Sequence, residues 1–469
     1  MSTQFDQPSS PAKHWARLFN AQRLGSNKKA PAQDSARSSF HKDYDRLVFS
    51  HSFRQLNQKT QVHPLTNQLG IHTRLTHSLE VSCIGRSLGV MAAEKLHDKL
   101  AAGLPNGVTP ADVGVIVQAA CLAHDIGNPP FGHAGEYAIR DWFMHPDRQP
   151  VLQNLSSNEQ LDLLAYEGNA QGFRILTRNE HHPDAGGMRL TCATLGAFMK
   201  YPWLASHRND IYQGERLTNV QKFGCFYSEA AQLEELAACL SLPRSEQHDG
   251  FARHPLAYLL EAADDICYAL IDLEDGINLN MLTYTEVAAI FYELIGERPS
   301  SISLPKNMSV RQHLASLRAR AMMRLINAVT DAFVTNSDAM LAGTLNGSLF
   351  THCDASVQSG ISQAKQLARE KIFNHPSKVR MELMANQCLQ SLLDAFMPLA
   401  WTNEKNTPLS FEQQRLLRLL QPYFEEHRRV LSDNTYHNML NVLDFITGMN
   451  DHEAYRLAQE LQGHWGTIV

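Results

Sequence analysis

The segment HDIGNPPFGH (124–133) places two strong metal ligands, His124 and Asp125, side by side, continues through a Gly and two prolines, and closes on a third imidazole, His133. The dipeptide alone says little, because His97-Asp98 and His248-Asp249 repeat it. The setting separates the first pair from the others. It ends the apolar run GVIVQAACLA (114–123), whose pattern predicts a buried helix that Gly127 and Pro129-Pro130 bring to a stop. Ligands at a helix terminus can face a cavity while the helix body stays in the core. If His124 and Asp125 hold a metal, the Gly-Asn-Pro-Pro turn becomes a stiff spacer that fixes His133 across the pocket, with Glu136 at i+3 to orient its imidazole for proton transfer.

Upstream, His77 in RLTHSLEV sits near the start of another long helix. One more carboxylate would complete a mixed nitrogen and oxygen site, and the place to seek it is HPLAYLLEAADDICYALIDLEDG (254–276). On a helix, Glu261, Asp264, Tyr268, Asp272 and Asp275 fall at steps of three or four and form one polar stripe among apolar neighbours. Either that stripe faces water, or it lies inside the molecule, where cations, a metal or a polar ligand must offset its desolvation.

The elements that would position these groups are helical. Apolar spacing predicts helices over 76–97, 110–124, 254–275 and 412–428, and Thr109-Pro110-Ala111-Asp112 supplies an N-cap, a proline at the first helical position and a carboxylate at the third. Loops are expected at 181–187, 297–307 and 341–348, and a loose polar arm over 1–36. The chain reads as all-α, with few or short strands. With 469 residues, 43% of them hydrophobic, it can bury a substantial core. Eight cysteines without a CxxC spacing fit reduced thiols, and the absence of a leader pattern or a long apolar run points to a soluble cytoplasmic protein with no membrane partner. A formal net charge of −6 offers no general field for nucleic acid. Locally, Arg37, Lys42, Arg46, Arg54, Lys59 and Arg74 face only Asp43 and Asp45, which could serve a small polyanion or merely form a solvated face.

Taken together, RLTHSLEV, LAHDIGNPPFGHAGE, YEGNAQGFRIL (166–176), KFGCFYSEA (222–230), EAADDICYALIDLEDG and DYDRLVFSHSFRQLNQKTQV (43–62) resemble the HD-domain deoxynucleoside triphosphate triphosphohydrolases, the dGTPase-like family. The matching blocks run in order from about 40 to 280; residues 285–469 carry a weaker, helical resemblance. The resemblance implies a metal site of His77, His124, Asp125 and Asp264, and a catalytic pair His133 and Glu136. Two imidazoles and two carboxylates suit Mn²⁺, Fe²⁺, Co²⁺, Ni²⁺ or Zn²⁺, and Mg²⁺ less comfortably. It further implies Gln55 and Leu56 near the sugar, Arg74 on the phosphates, Asn128 near the metal, Tyr268 and Asp272 against the deoxyribose, and Lys200 and Lys222 on the triphosphate. A Tyr ring under the 2′ carbon would leave no room for a hydroxyl.

The expected layout is an arm over 1–36, a metal-dependent catalytic core over 37–285, and a helical region over 286–469 that completes the nucleotide pocket and oligomer contacts. The expected reaction is hydrolysis of a dNTP, dGTP among them, to deoxynucleoside and inorganic triphosphate. His133 would act as general acid toward the departing 5′ oxygen, or as base toward water with the same residues. The rivals are an HD-type 5′-nucleotidase acting on deoxynucleoside monophosphates and a regulatory protein that binds nucleotide or DNA without turnover; the basic excess over 37–74 and the proton carrier argue against them. The family also implies a homo-oligomer, often a hexamer, and in some members a dNTP effector or single-stranded DNA.

Overall fold

The computed structural model describes residues 11–25, 37–61, 72–100, 103–180, 187–205, 222–245, 249–297, 299–402, 408–423 and 431–464. Among them helix is the only regular element, and strand-like pairing appears only as isolated bridges such as Thr60 with Thr73. The all-α reading holds.

Two long helices form the spine. Arg74–Lys99 begins at the capping box of Thr73 and Thr76, and Pro110–Ala123 begins at the box of Thr109 and Asp112, with Pro110 in the first turn. Nearly every side chain of Pro110–Ala123 from Val113 onward is buried. A helix apolar on all faces is stable only when surrounded, and its neighbours are Arg74–Lys99, Ser39–Phe49, Cys192–Phe198 and Pro255–Asn278. Close approach is built in at Gly89, where a Cβ would lie 2.9 Å from the Gly114 Cα.

Two hydrophobic cores result. One gathers Trp15 to Ile126, Phe173 to Met199 and Cys225 to Ile372. The other gathers described apolar side chains from within 131–170 and 385–458, together with Trp203, Ala205, Phe223 and Phe226. The catalytic-core boundary expected at 285 therefore does not coincide with a core boundary. Tyr284–Ile295 and Val310–Thr335 belong to the first core, while Pro376–Phe396, Thr435–Gly448 and Asp451–Leu461 close the second one over the His133–Met144 helix.

Other expectations change too. Within the stretch expected as a polar arm, Pro11–Leu18 is a helix, and Trp15, Leu18 and Phe19 are buried; residues 1–10 and 26–36 lie outside the described set. The helix expected over 412–428 is Phe411–Leu420 followed by a tight turn at Gln421–Tyr423, and residues 424–430 again lie outside the described set. Of the expected loops, 181–186 is outside it as well, and Leu341 and Ala342 end the Ser337–Ala342 helix.

Candidate active site

The first pair of candidate ligands stands at the end of a buried helix. Pro110–Ala123 ends at His124, whose Nδ1 lies 2.7 Å from the Cys121 carbonyl oxygen. A ring that donates there through Nδ1–H keeps the Nε2 lone pair for a metal. His77, buried in the first turn of Arg74–Lys99, faces it with ring centroids 5.4 Å apart. One ligand atom each from His77, His124 and Asp125 lies within 4.8 Å of the others. The Asp264 carboxylate approaches the same imidazoles, Oδ1 standing 3.2 Å from His77 Nε2 and 3.6 Å from His124 Nε2.

The electrostatics fit a divalent cation. Burial alone would raise the carboxyls; instead the Arg74 guanidinium and the two imidazoles hold Asp125 well below the ordinary range, and the Lys200 ammonium with the same imidazoles does so for Asp264. Both therefore stay anionic and crowd two neutral-capable nitrogens, which is the donor set that a first-row divalent metal takes. Arg74 Nη1 donates to Asp125 Oδ2 at 2.6 Å, Asn128 Nδ2 to Asp125 Oδ1 at 2.5 Å, and Lys200 Nζ to Asp264 Oδ2 at 3.2 Å. So Arg74 and Lys200, expected on the phosphates, and Asn128, expected near the metal, all bond to candidate ligand carboxylates.

The stiff spacer is present and strained. Phe131 has φ 64° and Gly132 φ 59°. For a bulky residue that left-handed conformation costs about 1–3 kcal/mol. Gly132 leaves room for Arg74, since a Cβ there would meet the Arg74 Nη2 at 2.4 Å. His133 then opens the His133–Met144 helix with its side chain largely exposed, and its Nδ1 lies 2.7 Å from Glu136 Oε2. Glu136 is buried, and its Oε1 accepts the Gly168 N–H at 2.8 Å. Burial raises that carboxyl, but His133 and Arg140 outweigh it and hold it at about 2. The ring is thus tethered by one nitrogen to a fixed anion on a side chain that is otherwise exposed.

The carboxylate stripe on Pro255–Asn278 does not face water. Asp272 and Asp275 are buried, and Asp275 Oδ1 lies 2.8 Å from His72 Nδ1, an imidazole that Asp275 and Glu80 hold at about 10. Asp272 is pushed up to about 7 by burial, with His77 opposing. Tyr268, half-buried, stacks on Phe373 with centroids 5.7 Å apart and 12° between planes. Phe373 ends the wide helical turn Arg369–Phe373, and such turns recur at functional sites. Leu56 is buried; Gln55 Nε2 lies 2.9 Å from His51 Nε2. Lys222 is exposed, and the Glu167 and Glu136 carboxylates raise its ammonium against partial desolvation.

The basic face expected between Arg37 and Arg74 is not one face. Lys59 and Arg74 are buried, Arg37 pairs with Asp45, and Arg46 donates to the carbonyls of Met188 and Arg189. Of these six described cations, Arg74 is the one that pairs with a candidate metal ligand, Asp125. Sequence reasoning also passed over Gly168, whose N–H secures Glu136, and the Cys121 carbonyl that fixes the His124 tautomer. The i−3 position of Cys121 from a helix-terminal His was the signal available for the latter.

Comparison with known proteins supplies the family. An HD domain matches residues 74–163, the span that holds His77, His124, Asp125, His133 and Glu136. The chain is 45% identical over 452 residues to a deoxyguanosinetriphosphate triphosphohydrolase-like protein of Pseudomonas aeruginosa, covering 96% of this chain and 98% of that one. It is 38% identical over 460 residues to a protein of the same description from Synechocystis sp., covering 96% and 99%. It is 30% identical over 481 residues to the deoxyguanosinetriphosphate triphosphohydrolase of Salmonella typhimurium, covering 89% and 92%. Similarity of this extent, with the His and Asp cluster inside the matched domain, makes the chain a member of the deoxyguanosinetriphosphate triphosphohydrolase-like family of HD-domain proteins.

Proposed function

We propose that this protein hydrolyses deoxynucleoside triphosphates, dGTP among them, to the deoxynucleoside and inorganic triphosphate. The observation that carries the reading is the Glu136-tethered His133 on the rigid turn that begins at His124 and Asp125, because a protein that only binds nucleotide has no use for a positioned proton carrier. His77, His124, Asp125 and Asp264 would hold a divalent cation, which supplies Lewis acidity toward a phosphoryl oxygen and lowers the pKa of a water. Glu136 keeps His133 oriented, and His133 protonates the 5′ oxygen as it leaves the α-phosphorus. Arg74 and Lys200, each already on a candidate ligand carboxylate, bring cationic charge to the edge of the site, and exposed Lys222 adds more. Tyr268, stacked on Phe373, would pack against the deoxyribose and exclude a 2′ hydroxyl.

The product test is direct. Incubation of dGTP with Mn²⁺ or Mg²⁺ should release deoxyguanosine and inorganic triphosphate, and in ¹⁸O-labelled water the label should enter the triphosphate alone. Release of pyrophosphate or orthophosphate, or label in the nucleoside, would refute the proposed bond cleavage.

A further inference from the structure

The turn between the candidate ligands and His133 has little hydrogen bonding of its own. Pro129 and Pro130 carry no N–H to donate. Gly132 N–H reaches the Pro129 carbonyl at 3.1 Å, and Asn128 N–H the Asp125 carbonyl at 3.1 Å. Yet this turn must hold Phe131 at φ 64°. A further constraint comes from the far end of the chain. Asp451, fully buried at the start of the Asp451–Leu461 helix, accepts the Phe131 N–H on Oδ1 at 2.8 Å. Its Oδ2 accepts the Thr60 N–H at 3.0 Å and the Thr60 hydroxyl at 2.5 Å. Beside it, buried Lys59 donates to the carbonyls of Asn128 at 2.8 Å and Thr447 at 2.6 Å. The same short segment is tied to Arg74, whose N–H donates to the Lys59 carbonyl at 2.9 Å.

We infer that Asp451 and Lys59 are positioning residues. They clamp the 128–132 turn against the corner between Thr435–Gly448 and Asp451–Leu461, and so set the register of His133 to the His77, His124 and Asp125 cluster. Neither belongs to the ligand cluster or to the His133–Glu136 pair. Two links join the turn to the C-terminal corner: the bond from the Phe131 N–H to Asp451, and the Lys59 bridge between the Asn128 and Thr447 carbonyls. The catalytic consequence rests on the reading of His133 as proton carrier.

The test uses the full-length protein and the variants Asp451→Ala, Asp451→Asn and Lys59→Met. Three quantities are measured: bound Mn²⁺, kcat and KM for dGTP, and amide exchange of the peptide spanning 126–136. Asp451→Ala should keep its Mn²⁺ and a KM within about threefold while kcat falls on the order of 10- to 100-fold, the scale expected for a small displacement of a reacting group. Asp451→Asn keeps one oxygen for the Phe131 N–H and should lose less. Exchange in 126–136 should accelerate in the same order. Placed on His133→Ala, Asp451→Ala should bring no further loss of kcat, because the group it positions is already gone.

A full additional loss in that background, or a lowered Tm with unchanged kcat, overturns the inference in favour of a purely structural clamp. Should Asp451→Ala fail to fold, Lys59→Met provides the same comparison. Wild type that releases no triphosphate from any dNTP refutes the functional reading instead, and the exchange measurement still decides whether the clamp holds the turn: unchanged exchange in both Asp451→Asn and Lys59→Met overturns it.

Discussion

Three aspartates on one face of Pro255–Asn278 meet three different electrostatic fates, and each fate is set by what reaches the carboxylate rather than by the helix. Asp264 has His77, His124 and Lys200; Asp275 has His72; Asp272 has no such ion pair among the described residues, and burial pushes it up to about 7. If Asp264 is the fourth ligand, Asp264→Ala should lose most bound Mn²⁺ while retaining the wild-type circular dichroism spectrum, and full occupancy in that variant would place the fourth ligand elsewhere. Asp272 yields a prediction of opposite character. Its folded pKa lies above the unfolded value of about 3.9, so between pH ~4 and pH 7 the folded state binds more protons and loses stability as pH rises. Asp272→Asn, which mimics the neutral form, should therefore gain relative to wild type by about 1–2 kcal/mol at pH 8 and little at pH 4.5, in chelator. Urea unfolding at the two pH values checks this; equal destabilisation at both would show that the carboxylate has an anionic role in the fold. The ligand types at this scale were legible in sequence because helical spacing alone puts Asp264 and Asp272 on one face. Whether that face met water was not legible, since it depends on His72 and His77, nearly two hundred positions away.

Helix starts are written locally, and the sequence marked them well. The capping box at Thr109 and the proline after it are both present, and the Pro110–Ala123 helix ends within a residue of where the His-Asp pair was expected to stand. The Pro11–Leu18 helix escaped because its window is short and its flanks are rich in Ser, Gln and Lys, so composition outweighed three well-spaced apolar residues. Its burial is not marginal. Trp15 is 1% exposed, stacks on Phe19 with centroids 5.5 Å apart and lies 6.2 Å from Phe333. Trp15→Ala should consequently destabilise the protein by about 3–5 kcal/mol, the range for a fully buried Trp, where a loose arm would give almost none. Thermal unfolding of the variant distinguishes the two readings, and a Tm within a degree of wild type would detach this helix from the core. The turn at Phe131 escaped for a different reason. Nothing in NPPFGH announces that Phe131, rather than a Gly, takes the left-handed conformation, and the Asp451 carboxylate that accepts its N–H comes from the opposite end of the chain.

At the scale of the whole molecule the chain is interleaved, and this is what no local pattern could disclose. The His133–Met144 helix, which carries the proposed proton carrier, is covered by Pro376–Phe396, and Trp142 and Tyr166 share a core with Leu389, Leu392, Phe396, Leu440 and Leu443. A buried charge network crosses the same junction. Arg174, fully buried, donates to Glu229 at 2.7 Å and to Asp444 at 2.8 Å, and Asp444 also accepts from Gln171 at 2.7 Å. The sequence boundary at 285 would cut both. Each large apolar side chain returned to water forfeits about 1.5–3 kcal/mol, and the Arg174 guanidinium loses Asp444 while keeping Glu229. A domain of ordinary stability holds only about 5–15 kcal/mol in total, so a handful of such losses exhausts it. A fragment of residues 37–285 should therefore fail to unfold cooperatively and should bind a hydrophobic dye strongly, although it contains every candidate metal ligand together with His133 and Glu136. Added Mn²⁺ should not restore it, because the cation would organise His77, His124, Asp125 and Asp264 in the first core and leave the second exposed. Calorimetry and near-ultraviolet circular dichroism of the fragment decide the matter: a sharp transition with native-like aromatic signal would mean that residues 37–285 fold alone and that the C-terminal helices only cover a finished core.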